Sequence, residues 1–408
     1  MDGESETRVV GFERQARKGV PPRLARRVLA LDDFEPLARR RLPRPLFGYA
    51  AGGAEENRSL AANRAAFGKH ALQPRVLRDV SGRSTAVEFL GQRWAAPFGI
   101  APLGMAAMSA YRADIVLARG ARAMGIPAAL SGASLIRLED VARAAPGTWF
   151  QAYLPGEIAR IDALLDRAVA AGYETLLVTV DLAVGGNREN HVRAGFSAPL
   201  RPTPRLAFDG LVRPRWLLGT FARTLLRHGM PHFENAFGER GAPIISRRAV
   251  RDFARRDHFD WRHVDHIRRR WQGPLILKGI LHPDDAAEAK ARGADAIVVS
   301  NHGGRQLDGA VAPLDALPGI VSRAGDLPVL LDGGVRRGTD VVKALALGAR
   351  LVLVGRPFLY AAVVAGEAGV VHAADILRTE LDRDLALLGL NSVAEIGPDI
   401  LFAHPDRA

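Results

Sequence analysis

The chain of 408 residues contains no cysteine. This absence excludes disulfide bonds, thiolate metal sites and a cysteine nucleophile. No apolar run reaches the roughly 18–20 residues that a membrane-spanning helix requires. The first ten residues, MDGESETRVV, are polar and acidic and do not have the pattern of a signal peptide. These absences favour a cytoplasmic protein.

Positive charge is in excess, with a formal net charge of +12 at pH 7. Such a balance is typical of proteins that bind nucleic acid, anionic membranes or acidic substrates. Much of it is arginine scattered along predicted helices, which indicates a solvated surface, and we expect no nucleic-acid partner. The closest histidine grouping, His258, His263 and His266, lies in a polar stretch, so no metal site is predicted.

Eight short apolar runs recur along the chain, and helical patterns separate them. They are FGIAP (98–102), PAALS (127–131), WFQAYL (149–154), TLLVTVD (175–181), PLILKG (274–279), AIVVSN (296–301), PVLLDGG (328–334) and LVLVGRP (351–357). Continuous rather than alternating apolar runs are typical of parallel strands that are buried on both faces. Eight strands alternating with helices predict an α/β fold, a TIM (β/α)8 barrel. A doubly wound open sheet is the alternative.

Two segments lie outside the barrel pattern. We predict a polar tail at residues 1–30 and one barrel domain at 31–403, with a helical N-terminal extension before the first strand. A long insertion, residues 185–265, follows the fourth strand, and loops of that length are functional or mobile. Its segment 212–237 mixes arginines with tryptophan, leucine and phenylalanine, which predicts a basic amphipathic helix on an anionic membrane surface. A lid or a subunit contact is the alternative.

Polar or small residues end each predicted strand, where a TIM barrel has its active site. They include Ser131, Gln151, Tyr153, Thr179, Asp181, Lys278, Ser300, His302, Asp332, Gly355 and Arg356. A lysine beside so much apolar surface is costly without a charged partner. Lys278 is therefore a candidate for an anion partner or a Schiff base, with a snorkelling surface lysine as the alternative.

The loops DGGVRRG (332–338) and GRP (355–357) follow the seventh and eighth strands. Barrels often bind phosphate with these two loops, because glycines expose backbone N–H groups and arginines add charge-assisted bonds. The sequence predicts a phosphate site here, with turn glycines and solvated arginines as the alternative.

The segment VSNHGGRQLDG (299–309) holds the candidate catalytic residues. His302 is the candidate base because histidine titrates near neutral pH. Arg305 is suited to a two-pronged hold on a carboxylate. Asp181 is a candidate to orient and stabilise a protonated His302. A hydrogen-bonded core histidine with surface ion pairs is the alternative.

Several motifs together resemble the FMN-dependent L-2-hydroxy acid oxidase and dehydrogenase family, which includes glycolate oxidase, L-lactate dehydrogenase and mandelate dehydrogenase. The resemblance runs from about residue 30 to 403 and is most specific at SNHGGRQLD. The other motifs follow in the same order as in the family: LPRPLFGYAAGGAEE (42–56), TVDLAVGGNRE (179–189), LKGI (277–280), LDGGVRRGTDVVKALALGA (331–349) and GRP.

The resemblance implies a role for each matching residue. His302 would be the base and Asp181 its partner, while Arg305 and Tyr49, with Arg188 nearby, would bind the substrate carboxylate. Tyr153 would bond the substrate hydroxyl, and Lys278 would stabilise the reduced flavin. The other FMN contacts implied are Ser131, Gln151, Thr179, Ser300, Asp332, Gly333, Gly334, Arg336, Gly355 and Arg356, with the backbone around 102–104 against the flavin.

Three departures from the family pattern bear on specificity. Ala133 stands where glycolate oxidase has tryptophan, which indicates a substrate larger than glycolate. Gly104 occupies a position that is alanine in the oxidases and glycine in several dehydrogenases, which favours an acceptor other than oxygen. Leu103 replaces a common threonine and puts one flavin contact in doubt.

The sequence therefore predicts FMN-dependent oxidation of L-lactate or a bulkier, mandelate-like acid, with a quinone as acceptor. We also expect peripheral contact with the inner face of a bacterial membrane and a homo-oligomer, a tetramer. The alternatives are an oxygen-using oxidase, a phosphate-binding barrel isomerase without redox chemistry, and a non-catalytic flavin- or nucleotide-binding protein.

Overall fold

A computed structural model describes residues 20–402 except 198, 202 and 247–255. Most of the predicted polar tail and part of the insertion therefore lie outside the described residues. The division of the chain at residue 30 stays a prediction.

The sheet structure consists of a short hairpin and one large parallel sheet. Strands β1 (Val87–Phe89) and β2 (Gln92–Trp94) form the antiparallel hairpin. The parallel strands are β3 (Phe98–Ile100), β4 (Ala129–Ser131), β5 (Trp149–Ala152), β6 (Leu176–Thr179), β7 (Leu275–Ile280), β8 (Ala296–Val299), β9 (Val329–Asp332) and β10 (Leu351–Val354). Every predicted strand is present: β7 is as long as its predicted run, and the other seven strands are two or three residues shorter than theirs.

The parallel sheet closes into a barrel. Its order is β3-β10-β9-β8-β7-β6-β5-β4, so the first strand pairs with the last. A single parallel bridge between Ile100 and Ala128 joins β3 to β4 and completes the ring. The prediction of a (β/α)8 barrel is confirmed, and the doubly wound open sheet is wrong because such a sheet leaves both edge strands unpaired.

Residues on the strands alternate between the barrel interior and the helical layer, and both sets are buried. One apolar cluster contains Leu177, Ile276, Val298, Leu330 and Leu353 from five strands, which fill the barrel. The β1–β2 hairpin lies beneath them, where Phe89 contacts the ring of Trp149 at the start of β5. The amino ends of the strands are thus covered, and their carboxyl ends are left for a site.

Helices surround the barrel and build the extension and the insertion. Those of the extension are Pro22–Arg27, Phe34–Arg41, Arg44–Ala51 and Arg58–Ala65, with 3-10 turns Leu31–Asp33 and Ala66–Lys69. Those between strands are Ala106–Ser109, Ala113–Met124, Leu138–Ala144, Ile158–Ala170, Trp261–Arg270, Pro283–Ala291, Pro313–Ala324 and Gly338–Ala346. The insertion holds Glu189–Ala194, Pro204–Leu211, Pro214–Trp216, a π-helical stretch Leu217–Ala222, and Arg223–His228. After β10 come Arg356–Leu388 and the turns Val393–Glu395 and Pro398–Ile400.

The helix Arg356–Leu388 is long and apolar enough to cross a membrane, but 72% of its most apolar window is buried inside the protein. Its backbone leaves helical geometry at Ala365 and Gly366, so it consists of two helices joined at a kink. It packs against Phe34–Arg41 and Ala113–Met124 as part of the core.

The N-terminal extension is held on the loop after β8 by the signature motif itself. The Asp308 carboxylate accepts backbone N–H bonds from Ser59 at 2.8 Å and from Glu56 at 3.1 Å. The buried amides of Asn63 and Asn301 exchange two hydrogen bonds of 2.7 Å. These contacts fix the extension, and with it Tyr49, over the carboxyl ends of the strands.

Candidate active site

A cavity of about 380 Å³ opens at the carboxyl ends of the barrel strands. Its volume lies within the range of cofactor and substrate pockets, roughly 300–1,000 Å³. Most of the residues predicted for the site line it: Tyr49, Tyr153, Thr179, Arg188, Lys278, His302, Arg305, Asp332, Gly333, Gly334, Arg336, Gly355 and Arg356.

The four remaining predicted residues lie behind the cavity wall. Asp181 supports His302, and Ser300 lies beside Lys278. The Ser131 hydroxyl donates to the Gln151 side-chain oxygen at 3.2 Å, and both residues are buried. The Gln151 amide nitrogen is buried and has no hydrogen-bond partner among the described residues, so it is a donor in need of an acceptor.

His302 and Asp181 form the catalytic-type pair that the sequence predicted. His302 Nδ1 lies 2.9 Å from Asp181 Oδ1. Because a carboxylate only accepts, Nδ1 carries the proton, and Nε2 is left with a lone pair in a residue that lines the cavity. The imidazole therefore has the tautomer that a general base requires.

Burial and charge set the protonation of this pair. Burial lowers the pKa of His302, and the neighbouring Asp181 charge offsets only part of that effect. Burial alone would raise the pKa of Asp181, but His302 and Lys278 outweigh it and lower that pKa. At neutral pH the pair is therefore a neutral imidazole on an ionised carboxylate.

The local backbone makes room for this arrangement. Gly279 has φ +112°, and a Cβ there would lie 2.6 Å from both Cβ and Cγ of Asp181. His302 itself has φ +58°, a left-handed conformation that is unusual outside glycine. Its N–H donates to the Ser300 hydroxyl at 3.1 Å, which holds the turn.

Arg305 is a buried cation with its donors directed to main-chain oxygens. Its Nη1 donates to the carbonyls of Tyr49 at 2.7 Å and Gly52 at 3.0 Å, and its guanidinium lies 4.9 Å from the Tyr49 ring centre. Burial lowers the pKa of Arg305 to about 10, so it stays charged at neutral pH. Among the described residues no carboxylate lies within 4 Å of it, so its charge is available to an anion.

His191 is a site residue that sequence reasoning missed. Its Nε2 lies 3.3 Å from Arg305 Nη2, and its ring is 5.1 Å from that of Tyr49. Burial, then the charges of Arg305 and Arg188, lower the pKa of His191 to about 3, so it is neutral and accepts from Arg305. The only signal was its position three residues after Arg188, on the same side of the helix Glu189–Ala194.

Arg188 lines the cavity, but its hydrogen bonds hold the signature loop. Its Nε donates to the Arg305 carbonyl at 2.9 Å and its Nη2 to the Gln306 side-chain oxygen at 2.6 Å. Gln306 in turn donates to the Asp181 carbonyl at 3.0 Å. These bonds join the loops after β6 and β8, which carry the two halves of the His–Asp pair.

Lys278 belongs to a buried network with Ser300 and Asp332. Its Nζ lies 2.7 Å from Asp332 Oδ2 and donates to the Ser300 hydroxyl at 2.9 Å. Burial alone would lower the pKa of Lys278, but Asp332 and Asp181 raise it, so the ammonium is charged. The snorkelling alternative is wrong, since the side chain is only 5% exposed. Ser300 and Asp332 are thus occupied with Lys278, and their predicted contacts with FMN stay predictions.

Tyr153 lies near His302 and lines the same cavity. The two rings are 6.4 Å apart, and the Arg256 guanidinium lies 5.0 Å from the Tyr153 ring centre. Burial raises the pKa of Tyr153, so its hydroxyl is a proton donor in hydrogen bonds at neutral pH. Arg256, from the end of the insertion, is a second residue that the sequence analysis missed.

The two glycine-rich loops lie side by side at the cavity. Gly334 has φ +87°, and a Cβ there would lie 2.0 Å from the Asn63 carbonyl oxygen. Arg336 pairs with Asp32 at 3.1 Å. Arg356 donates to the carbonyls of Ala50 at 3.0 Å and Gly303 at 3.1 Å. Both arginines line the cavity, and their predicted contact with a phosphate stays a prediction.

These features define the class of the protein as a (β/α)8-barrel enzyme, in which one cavity is lined by a histidine bonded to a carboxylate, a buried arginine and a buried lysine. The model of the FMN-dependent dehydrogenase family matches residues 38–403. The chain therefore belongs to the FMN-dependent dehydrogenase family, as the motifs predicted.

Individual relatives agree with this assignment. The chain is 38% identical over 380 residues to (S)-mandelate dehydrogenase of Pseudomonas putida, covering 93% of this chain and 95% of that protein. It is 41% identical over 381 residues to L-lactate dehydrogenase of Azorhizobium caulinodans, and the match covers 92% of this chain and 98% of that protein. The crystal structure of the monotopic membrane protein (S)-mandelate dehydrogenase superposes with a TM-score of 0.86 at 38% identity, covering 92% of this chain and all of that one.

FMN is the cofactor that the family implies, and the cavity fits it. The buried Gln151 amide offers a donor to an acceptor such as a flavin carbonyl oxygen. The charged Lys278 offers a cation to a flavin that gains negative charge, and the loops at 333–336 and 355–356 offer glycines and arginines at a place suited to a phosphate. Membership of the FMN-dependent dehydrogenase family, rather than the phosphate site, excludes the isomerase without redox chemistry.

Proposed function

We propose that this enzyme oxidises an L-2-hydroxy acid, L-lactate or a bulkier mandelate-like acid, to the 2-oxo acid. The observation that carries the proposal is the His302–Asp181 pair, which faces the same cavity as the buried, charged Arg305. Oxidation of a 2-hydroxy acid requires a base for one proton and an anion site that fixes the reacting carbon.

Each polar residue then has a task. Arg305, with Tyr49 beside it, holds the substrate carboxylate and orients the carbinol carbon. Nε2 of His302 takes one proton, and Asp181 stabilises the resulting imidazolium. Tyr153 donates a hydrogen bond to the substrate oxygen. Bound FMN supplies the acceptor for the two electrons and the second hydrogen.

The substrate is larger than glycolate in this proposal. Gly104 and Ala133 line the cavity together, and a Cβ built on Gly104 would lie 3.3 Å from the Ala133 Cβ and 3.3 Å from the Tyr49 hydroxyl. Two small residues at this point leave space that a tryptophan at 133 would occupy. The names of the relatives, L-lactate and (S)-mandelate dehydrogenase, support the same range of substrates.

Anaerobic flavin reduction tests the chemistry. The purified holoenzyme is mixed with L-lactate, (S)-mandelate, glycolate and longer 2-hydroxy acids, and bleaching of the flavin absorbance is followed. We expect bleaching by lactate or mandelate, and loss of bleaching with retained flavin in His302→Gln. A non-catalytic flavin protein would not bleach with any acid, and unchanged turnover in His302→Gln would refute the role of His302.

We further propose a quinone as electron acceptor. Gly104, at a position that is glycine in several dehydrogenases of the family, and the apolar surface described below support it. The test compares reoxidation of the reduced enzyme by a soluble quinone with reoxidation by air-saturated buffer. Fast turnover with oxygen and none with quinone would establish the oxygen-using oxidase instead.

Peripheral contact of the insertion with the inner face of a bacterial membrane completes the proposal. Large apolar side chains are exposed on residues 208–230, in a segment that also carries many arginines: Phe208, Leu211, Val212, Leu218, Phe221, Leu226 and Met230. An exposed apolar patch bordered by arginines is typical of an interfacial segment. The relative whose structure is described as a monotopic membrane protein supports the same conclusion.

A basic groove next to this patch adds to the argument. It has a volume of about 580 Å³ and six arginines in its wall: Arg23, Arg27, Arg40, Arg41, Arg213 and Arg215. Among the described residues no Asp or Glu lines it. Burial, and then the charges of Arg215 and Arg27, lower the pKa of Arg41. Anionic headgroups would neutralise the positive charge of the groove.

Vesicle flotation tests the membrane contact. The double variant Leu218→Asp/Leu226→Asp should lose binding to vesicles that contain phosphatidylglycerol, while flavin reduction by substrate is unchanged. Leu387→Asp, at an equally exposed leucine on the helix Arg356–Leu388, is the matched control and should bind as the wild type does. Equal binding by both variants would assign the apolar patch to a lid or a subunit contact.

We also propose a homotetramer. Exposed Val76 and Leu77, on the extended segment before β1, support a subunit contact, since Leu77 is fully exposed. Sedimentation equilibrium of the holoenzyme in detergent measures the assembly directly, and a monomer at micromolar concentration would refute it.

A further inference from the structure

Residues 231–244 of the insertion are held on the barrel, unlike the exposed segment at 204–228. The N–H of Phe233 donates to the Ala242 carbonyl at 3.1 Å, and that of Ile244 donates to the Pro231 carbonyl at 3.0 Å. Gly241 closes the turn so tightly that a Cβ there would lie 2.3 Å from the Phe233 oxygen. The segment is a compact turn of its own.

This turn is bonded to the loop after β4, which contains Ala133. The N–H of Glu234 donates to the Ser134 carbonyl at 3.2 Å. The wholly buried Asn235 accepts from the Leu138 N–H at 2.9 Å and donates to the Ile136 carbonyl at 2.8 Å. Buried amides with both groups satisfied fix a loop in one position.

A barrel helix holds the other side of the turn. Arg167, on the helix Ile158–Ala170, donates to the carbonyls of Glu234 at 2.8 Å and Phe237 at 3.1 Å. The same guanidinium forms a two-pronged pair with Glu139 at 2.7 and 3.0 Å. The turn is thus held from both sides.

These bonds bring Phe233 to the cavity beside Ala133. Phe233 is 8% exposed and lines the same cavity as His302 and Arg305. Its ring belongs to a small apolar cluster with Ala107, Leu135 and Ile244. The bond between residues 234 and 134 places it next to the position where the small Ala133 leaves space.

We infer that Phe233 determines substrate specificity by contacting the side chain of the bound acid. The inference rests on the proposed function, because it takes the carboxylate on Arg305 and the carbinol at His302 as given. The apolar side of the cavity is then left for the substrate side chain. A flat aryl group beside Ala133 reaches the Phe233 ring, whereas the methyl group of lactate is too short to do so.

Two substitutions of Phe233 test the inference with opposite changes in volume. Phe233→Ala removes an aromatic contact worth about 0.5–1.5 kcal/mol beyond its area. Loss of the buried apolar contact adds to this. The measured quantity is kred/Kd, the rate constant of flavin reduction divided by the dissociation constant of the acid. We expect kred/Kd to fall about tenfold for (S)-mandelate and to change less than about twofold for L-lactate. Phe233→Trp should fill the space beside Ala133 and lower kred/Kd for mandelate by at least as much.

The controls separate a local effect from misfolding. Phe233→Leu keeps an apolar side chain and serves where the alanine variant does not bind flavin stoichiometrically. Phe221→Ala removes the same side chain from the same insertion, but at a site stacked on Trp216 and outside the cavity wall. It should leave the mandelate-to-lactate ratio of kred/Kd at the wild-type value.

The ratio of kred/Kd for (S)-mandelate to kred/Kd for L-lactate decides whether the inference holds. A selective loss with mandelate in both Phe233→Ala and Phe233→Trp supports the inference. Equal changes for both acids, or no change, overturn it while leaving the oxidation of 2-hydroxy acids intact. A wild-type enzyme that no 2-hydroxy acid reduces would overturn the inference together with the proposed function.

Discussion

Replacement of Asp181 by asparagine is the sharpest test of the proposed base. The substitution keeps the size of the side chain and keeps Oδ1 as the acceptor for the Nδ1 proton of His302, 2.9 Å away. The other carboxylate oxygen, Oδ2, is buried without a hydrogen-bond partner among the described residues, so the amide nitrogen replaces an atom that holds nothing in place. The variant therefore removes the charge of Asp181 and keeps its bond to His302, while its new amide N–H donors are buried without an acceptor among the described residues and lower stability.

The structure gives the size of the effect. Two unit charges 2.9 Å apart interact by about 6 kcal/mol at an effective dielectric constant of about 20. With His302 carrying about half a proton in the transition state, about 3 kcal/mol of that stabilisation is lost, which is a rate decrease of roughly 100-fold. Because the Asp181 charge raises the pKa of His302, its loss lowers that pKa further.

Stopped-flow flavin reduction between pH 5 and 8 measures both consequences. The base must be unprotonated, so in the wild type kred/Kd falls as pH drops through a pKa below the usual 6.5 of histidine, and in Asp181→Asn this limb moves to lower pH. Asp162→Asn is the matched control, because Asp162 makes a similar pair with His266 at 2.7 Å far from the cavity. A twofold effect in Asp181→Asn, or an equal loss in Asp162→Asn, would refute the reasoning.

Three further predictions concern the residues around the pair. Gly279→Ala should lower the free energy of unfolding by about 1–3 kcal/mol and slow flavin reduction, since its Cβ would meet Asp181. Gly172→Ala, also at positive φ but in open space, is the control; it should lower the free energy of unfolding by only about 1 kcal/mol and leave the rate of flavin reduction unchanged. Equal effects of the two substitutions would contradict the steric argument. The pKa of His191 falls from 6.5 to about 3 on folding, so the unfolded chain binds the extra proton and stability decreases as pH falls below 6.5. Urea unfolding at pH 7 and pH 5 should show a smaller loss of stability on acidification in His191→Gln than in the wild type. An identical loss of stability in both proteins would show that His191 does not titrate this way. Arg305→Lys should weaken binding of the acid about 30- to 100-fold by loss of paired charge-assisted bonds, measured by flavin titration with a 2-oxo acid, and a change under threefold would remove Arg305 from the carboxylate site.

The barrel and the polar residues at the ends of its strands were predictable because their signals are local. A strand buried on both faces is a continuous apolar run, as in Ala296–Val299, and the polar residues after it lie at the active end of any such barrel. His302 and Arg305 stand three residues apart on one turn, so their proximity needs no knowledge of distant packing.

Contacts between distant segments account for what the sequence did not predict. Asp332 was predicted to serve a phosphate loop, yet its carboxylate pairs with Lys278, two strands away. Nothing in the sequence near Phe233 indicates that it lines the cavity, and the spacing of His191 from Arg188 is only a weak signal. The positions of both residues depend on how the insertion and its helices fold back on the barrel.

The seam of the barrel has a consequence for the order in which the protein folds during synthesis. Strand β3 pairs along its length only with β10, and its contact with β4 is the single bridge from Ile100. The helix Phe34–Arg41 packs on Arg356–Leu388, and Leu72 and Ser84 bridge to Leu401 and Ser392. Residues 34–100 therefore reach their native partners only after residues 351–401 have left the ribosome. The apolar surface of the extension and of β3 is exposed until then, which makes the nascent chain a client for chaperones that bind near the exit tunnel.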